Sequence, residues 1–175
     1  MKEIRWHARA GQGAKTASQL FATAALRSGL SVQAFPEYGP ERRGAPLRAY
    51  TRISDRPIRR HDSITTPDVV VVLEPSLLGE VDVAEGLSPE GFVLVNSEEV
   101  PAPLADIPCV CVPASRLAEA RGTKFANVVM VGALAAVLGG PPAESVADAA
   151  AELLGKKTDA DSVRDAVLEG YRCLS

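Results

Sequence analysis

The chain has 175 residues, 46% of them hydrophobic and 23% charged, with a formal net charge of −3 at pH 7. That length suits one domain with an ordinary core, and the composition excludes wholesale disorder. The acidic balance argues against nucleic acid as a partner. The apolar runs are too short to cross a bilayer, so the expectation is a cytoplasmic protein without a membrane partner. Three cysteines make a poor disulfide framework, and no secretory or lipidation motif is read at the start of the chain.

Lys2 to Ala8 alternates, with Ile4, Trp6 and Ala8 against Glu3, Arg5 and His7, which is the period of a strand with one wet face. Gly11-Gln12-Gly13 follows. Ala14 to Ser28 carries an apolar stripe at helical spacing, and Gly29 is a natural stop. Ser31 to Phe35 predicts a second strand. Pro36 to Pro46 holds three prolines and two glycines and predicts a loop. Leu47 to Ser54 alternates again and ends at the turn Asp55-Arg56-Pro57. Val69 to Leu73, Phe92 to Val95 and Val110 to Val112 are continuous apolar runs, as in parallel strands covered on both faces. Short helices are expected near Pro75 and Ala114. Longer ones are expected over Thr123–Leu138, Pro142–Leu154 and Asp159–Leu174, with Asp159 or Ser162 as a cap for the last. Buried strands alternating with helices predict an α/β fold: a mostly parallel sheet flanked by helices in a Rossmann-like three-layer domain, with an antiparallel or irregular element around residues 47–58.

Strand, glycine turn and helix make an anion-attracting arrangement, because the first N–H groups of a helix lack partners and the helix dipole adds to their pull. Here Gly11, Gln12 and Gly13 form a phosphate-type turn. Thr16 stands where a dinucleotide fingerprint wants a third glycine, and Lys15-Thr16 lacks the first glycine of a P-loop. The turn is read either as a phosphate site or as a tight connection only. Glu37 sits where a ribose-binding acid would lie, but beside Pro36 it reads as part of the next motif.

Seven arginines crowd positions 42 to 60: Arg42, Arg43, Arg48, Arg52, Arg56, Arg59 and Arg60, with Asp55 the single acid among them. Such a patch suits an acidic partner protein or a phosphorylated small molecule; a solvated strand face is the plainer reading. The loop before it, Glu37-Tyr38-Gly39-Pro40-Glu41-Arg42-Arg43-Gly44-Ala45-Pro46, combines stiff turn residues with both signs of charge. His7 and His61 have no acid–base partner nearby in sequence. Cys109 and Cys111 share one face of a strand and read as ordinary buried cysteines rather than a metal pair. No metal-ligand set or catalytic constellation is evident.

Four segments carry a family resemblance: Ala8-Arg9-Ala10-Gly11-Gln12-Gly13 opening a helix, Phe35 to Pro46 continuing through Arg52-Ile53-Ser54-Asp55 to Pro57-Ile58, the strand Asp68 to Leu73, and Asn127 to Leu134. In order and spacing the chain resembles the gamma subunit, or gamma domain, of the 2-oxoacid:ferredoxin oxidoreductases. These include the pyruvate and 2-oxoglutarate enzymes. Ala8 and Ala10 replace two glycines of the family's usual first loop, which would weaken any ligand contact there. The resemblance implies one gamma-type domain across residues 1–175. It also implies a complex that decarboxylates a 2-oxoacid on thiamine diphosphate with Mg2+, passes electrons through iron–sulfur clusters to ferredoxin, and transfers the acyl group to coenzyme A. Thiamine diphosphate and the clusters would be held by alpha, beta and ferredoxin-like delta subunits. This chain would serve assembly, active-site gating or coenzyme A access, with no catalytic residue or metal ligand of its own. Glu37, Tyr38, Gly39, Pro40, Glu41, Arg42, Arg43, Gly44, Arg48 and Arg52 would contact partners or coenzyme A. The alternative is a free-standing nucleotide-binding α/β module.

Overall fold

The structure, a computed structural model, describes residues 1–37, 44–155 and 158–175. Six strands, β1 (Lys2–Arg9), β2 (Ser31–Pro36), β3 (Pro46–Ser54), β4 (Val69–Val72), β5 (Phe92–Asn96) and β6 (Cys109–Val112), form one sheet in the order β2-β3-β1-β4-β5-β6. Strands β1, β4, β5 and β6 run parallel, and β3 lies antiparallel between β1 and β2. The expected mostly parallel sheet with an antiparallel element near residue 47 is borne out. The register places Trp6 between Ala49 and Val71, so inward side chains line up across the sheet.

Helices α1 (Ala14–Arg27), α2 (Ala114–Ala120), α3 (Ala126–Leu138), α4 (Ala143–Leu154) and α5 (Ala160–Arg172) share one core with Ile4, Trp6, Ala8, Val69, Val71 and Leu94. Helix α3 is apolar on every side, and Val128 to Ala135 are buried without a break, because sheet and helices enclose it. It begins at Ala126, three residues after the sequence expectation. The opposite layer is thinner. Val70, Val72, Val93 and Val95 pack there against Val83 and Leu104, under two 3-10 turns at Pro75–Gly79 and Ala102–Leu104. The short helix expected near Pro75 is therefore a 3-10 turn, and the Glu74 side chain caps it by accepting from Ser76 N. Asp159 caps α5 as expected, accepting from Ser162 N at 2.8 Å. Among the described residues no helix is long and apolar enough to cross a membrane.

Candidate functional site

A cavity of about 420 Å³ opens where β1, β4 and β5 end. This is the position at which open α/β sheets receive ligands, beyond the carboxyl ends of parallel strands where the chain diverges to either side. Its rim is the Gly11–Gly13 turn, the Leu73-Glu74 strand exit, and the Lys124–Asn127 entry to α3. Gly11 (φ +98°) and Gly13 (φ +82°) adopt left-handed backbone that favours glycine. A Cβ at Gly13 would lie 2.5 Å from Asn127 Nδ2, so Gly13 also lets the starts of α1 and α3 approach. Both helices lack a side-chain cap and an acidic residue in the first turn. Their first N–H groups thus have no side-chain cap, which suits an anion, and Lys124 lies at the rim.

The polar floor is organised by Asn96. Its Nδ2 donates to Leu73 O at 3.0 Å and to Ser115 Oγ at 2.9 Å, and its Oδ1 accepts from Ser115 N. Gln12 locks the glycine turn: its Oε1 accepts from Arg9 N at 2.7 Å, and its Nε2 donates to Glu74 Oε2 at 2.5 Å. Desolvation pushes the Glu74 carboxyl up, but hydrogen bonds from Gln12 and Ser76 and the Arg9 charge together hold it below its ordinary value. Ala8 and Ala10 cost the turn no strain, since no described residue other than glycine has positive φ.

The proline-stiffened loop, hereafter the hook, is anchored at both ends. Glu37 N donates to Arg48 O at 3.0 Å, and Glu37 Oε2 accepts from Tyr50 Oη at 2.6 Å. Burial, reinforced by this bond, pushes the Tyr50 phenol up to about 12. At the other end Ala10 N donates to Ala45 O at 2.9 Å, and Arg9 Nη1 to Gly44 O at 3.1 Å. The structure therefore brings Gly44 to the glycine turn. Tyr38, Gly39, Pro40, Glu41, Arg42 and Arg43 lie outside the described residues.

The arginine patch divides. Arg56, Arg59 and Arg60 are exposed, and Arg60 pairs with Asp62. Arg48 is half-buried opposite His7. Arg52 corrects the sequence expectation of a contact residue: its side chain is fully buried, with Nε on Glu3 Oε1 at 2.7 Å and Nη1 on Gln33 Oε1 at 3.2 Å. A guanidinium enclosed in this way joins strands of its own sheet and presents nothing to a partner. His7, expected on a wet face, is also buried, and its Nε2 accepts from Arg5 Nε at 3.1 Å. Burial, with Arg5 and Arg48 nearby, lowers its pKa to about 3. Cys109 and Cys111 are half-buried against the valine core. Among the described residues no group of three or more His, Cys, Asp or Glu could hold a metal ion.

Glu37 does not sit as a ribose-binding acid should. Strand β3 stands between β1 and β2, so the end of β2 is two strand spacings, ~10 Å, from β1. Sequence reasoning passed over Asn96 and Ser115. A lone Asn ending the run Phe92–Val95 was the available signal, because polar residues at that end of a parallel strand face the ligand position.

The fold and the cavity define an α/β protein with a cleft at its parallel strand ends and the flank Gly44–Ala45 tied to the glycine turn beside it. Residues 3–173 match the profile of the family described as pyruvate ferredoxin/flavodoxin oxidoreductase. The chain belongs to that family and is of its gamma-subunit type. It is 48% identical over 159 residues to the pyruvate/ketoisovalerate oxidoreductases common subunit gamma of Thermococcus kodakarensis, covering 87% of this chain and 86% of that one. It is 43% identical over 178 residues to the pyruvate synthase subunit PorC of Thermotoga maritima, covering 97% and 92%. The crystal structure of the Thermotoga maritima pyruvate oxidoreductase subunit PORC superposes with a TM-score of 0.84 at 39% identity, covering 98% of this chain and 95% of that one. The fold recurs within a longer chain, the 2-oxoglutarate:ferredoxin oxidoreductase of Magnetococcus marinus. There the TM-score is 0.77 at 19% identity, over 98% of this chain and 30% of that one.

Proposed function

We propose that this chain is the gamma subunit of a cytoplasmic, multi-subunit 2-oxoacid:ferredoxin oxidoreductase acting on pyruvate or a related 2-oxoacid. Its part is assembly and coenzyme A access. Companion alpha, beta and delta subunits hold thiamine diphosphate, Mg2+ and the iron–sulfur clusters. Three dispersed cysteines, Cys109, Cys111 and Cys173, do not fit a cluster. The carrying observation is the cavity flanked by two acid-free helix starts with the hook fastened at its rim. Coenzyme A supplies a thiol that accepts the acyl group, and it is rich in phosphate. The N–H groups of Gly11 to Gly13 and the Lys124 ammonium would hold a phosphate of that kind, while Asn96 and Ser115 give the floor polar contacts.

On this reading the hook, with Glu37, Tyr38, Gly39, Pro40, Glu41, Arg42, Arg43 and Gly44, contacts companion subunits or coenzyme A. Arg48 supports its base. The test is co-expression with the neighbouring genes and purification through a tag on this chain. A thiamine- and cluster-bearing complex is expected. Replacing Arg42 and Arg43 together by Ala should weaken its assembly or raise the KM for coenzyme A while leaving the fold intact. Recovery of this chain alone, or turnover of a 2-oxoacid by it unaided, sinks the proposal.

A further inference from the structure

We propose that Arg9 is a positioning residue that fixes the return limb of the hook, Gly44 to Pro46, to the glycine turn, so that the two move as one body. The contact stands on the geometry alone; its link to turnover rests on the function proposed above. Arg9 is the last residue of β1 and is committed on two sides. Its backbone belongs to the glycine turn: Arg9 N donates to Gln12 Oε1 at 2.7 Å, and Arg9 O accepts from Gln12 N at 3.0 Å. Its side chain belongs to the hook and the 3-10 turn. Nη1 donates to Gly44 O at 3.1 Å, Nε and Nη2 donate to Ser76 Oγ at 3.1 and 3.0 Å, and Nη2 meets Glu80 Oε1 at 2.6 Å.

Three segments distant in sequence thus meet on one guanidinium. Glu80 and Ser76 hold the planar fork in place, and Nη1, which also donates to Glu80 Oε2 at 3.4 Å, grips the Gly44 carbonyl. A lysine ammonium is a single point of charge and cannot span these acceptors in that fan. The adjacent Ala10 N to Ala45 O bond runs in the same direction, so anything that displaces Gly11 to Gly13 pulls on Gly44 and Ala45. The ion pair is open to water, with Glu80 half-exposed, so it contributes little to global stability. Its loss should therefore loosen the hook without unfolding the chain.

The test uses the assembled complex carrying Arg9→Ala, Arg9→Lys or Glu80→Gln. Hydrogen exchange of the Ala10 amide, whose acceptor is Ala45 O, should quicken about tenfold in Arg9→Ala, while α4 and α5 amides stay unchanged. Arg9→Lys should behave nearly like Arg9→Ala, and Glu80→Gln should fall between it and wild type. The KM for coenzyme A should rise roughly fivefold, more than kcat falls, because the hook is misplaced rather than removed. Unchanged exchange at Ala10, or equal quickening throughout α4 and α5, overturns the proposal. Quickened exchange with an unchanged KM upholds the Arg9 contact and overturns the coenzyme A reading instead.

Discussion

The helical face of the sheet and the β1–β3 half of its other face are both buried, by different means. On the helical face Ile4, Trp6 and Ala8 meet Phe21, Met130 and Leu134, and no charge needs a partner. On the other face the alternate residues of β1 are Glu3, Arg5 and His7, and every one is tied down. Arg5 Nη2 donates to Val83 O at 2.9 Å and to Glu85 O at 2.6 Å, and Glu3 accepts from Arg52. Apolar burial is non-directional and tolerates repacking, whereas buried charge persists only with named partners. The hook springs from the charged half, where Arg48 and Tyr50 hold Glu37. The described flanks of that loop, Glu37 and Gly44 to Pro46, are held by directional hydrogen bonds.

The largest effect should come from the helical face. Gly132 of α3 lies under α5, where a Cβ would stand 2.0 Å from Val167 O. Gly170 of α5 lies under α3, where a Cβ would stand 1.9 Å from Val129 O. The contacted atoms are backbone, so a methyl group must drive the helices apart. Gly170→Ala should cost more than about 3 kcal/mol in urea unfolding, and Gly132→Ala a similar amount. A Gly170→Ala chain within 1 kcal/mol or so of wild type would show that this face is softer than its packing implies.

The same contrast explains what was legible in the sequence. Elements of the helical face follow local pattern: α1 and α5 show their stripes, Gly29 stops α1 with φ +84°, and Asp159 starts α5. The strands fall within a residue or two of expectation. The charged half was misread because alternation assigns its polar members to water. Arg5 is instead covered by the distant segment Val83 to Glu85, Arg52 is held by Glu3 and Gln33 of the sheet, His7 is buried beside Arg5, and no local period reports that. The cavity divides likewise. The glycine turn is a contiguous motif and could be read, whereas Asn96, Ser115 and Asn127 meet it only through the sheet order.

Arg52 offers a way to sharpen the comparison. Arg52→Ala removes the partner of Glu3, whose side chain is only 13% exposed, and empties a site next to the Phe35 ring. A loss of about 3 kcal/mol is expected, the low end for breaking a buried pair because Glu3 retains some access to water. Arg52→Met keeps the packing but not the charge. It should recover part of the loss only when combined with Glu3→Gln, and a double-mutant cycle without coupling would break the claim that pairing maintains this half.

A smaller effect, from His7, distinguishes the halves by pH. The unfolded chain protonates His7 near 6.5, while the folded chain, with its pKa at about 3, refuses the proton until far lower. The unfolded state therefore binds more protons across that interval, and stability must fall as pH falls through it. The contribution is fully present above 6.5. It declines by about 1.4 kcal/mol per pH unit below that, close to 2 kcal/mol by pH 5. Glu74, Glu80 and Asp62 are held below their ordinary values, so their own losses begin at lower pH. Urea unfolding between pH 7 and 5 should show this slope in wild type and in His61→Gln, whose histidine is exposed, and lose it in His7→Gln. A flat wild-type profile would mean that His7 meets water in the folded protein, and the charged half would then be open rather than sealed.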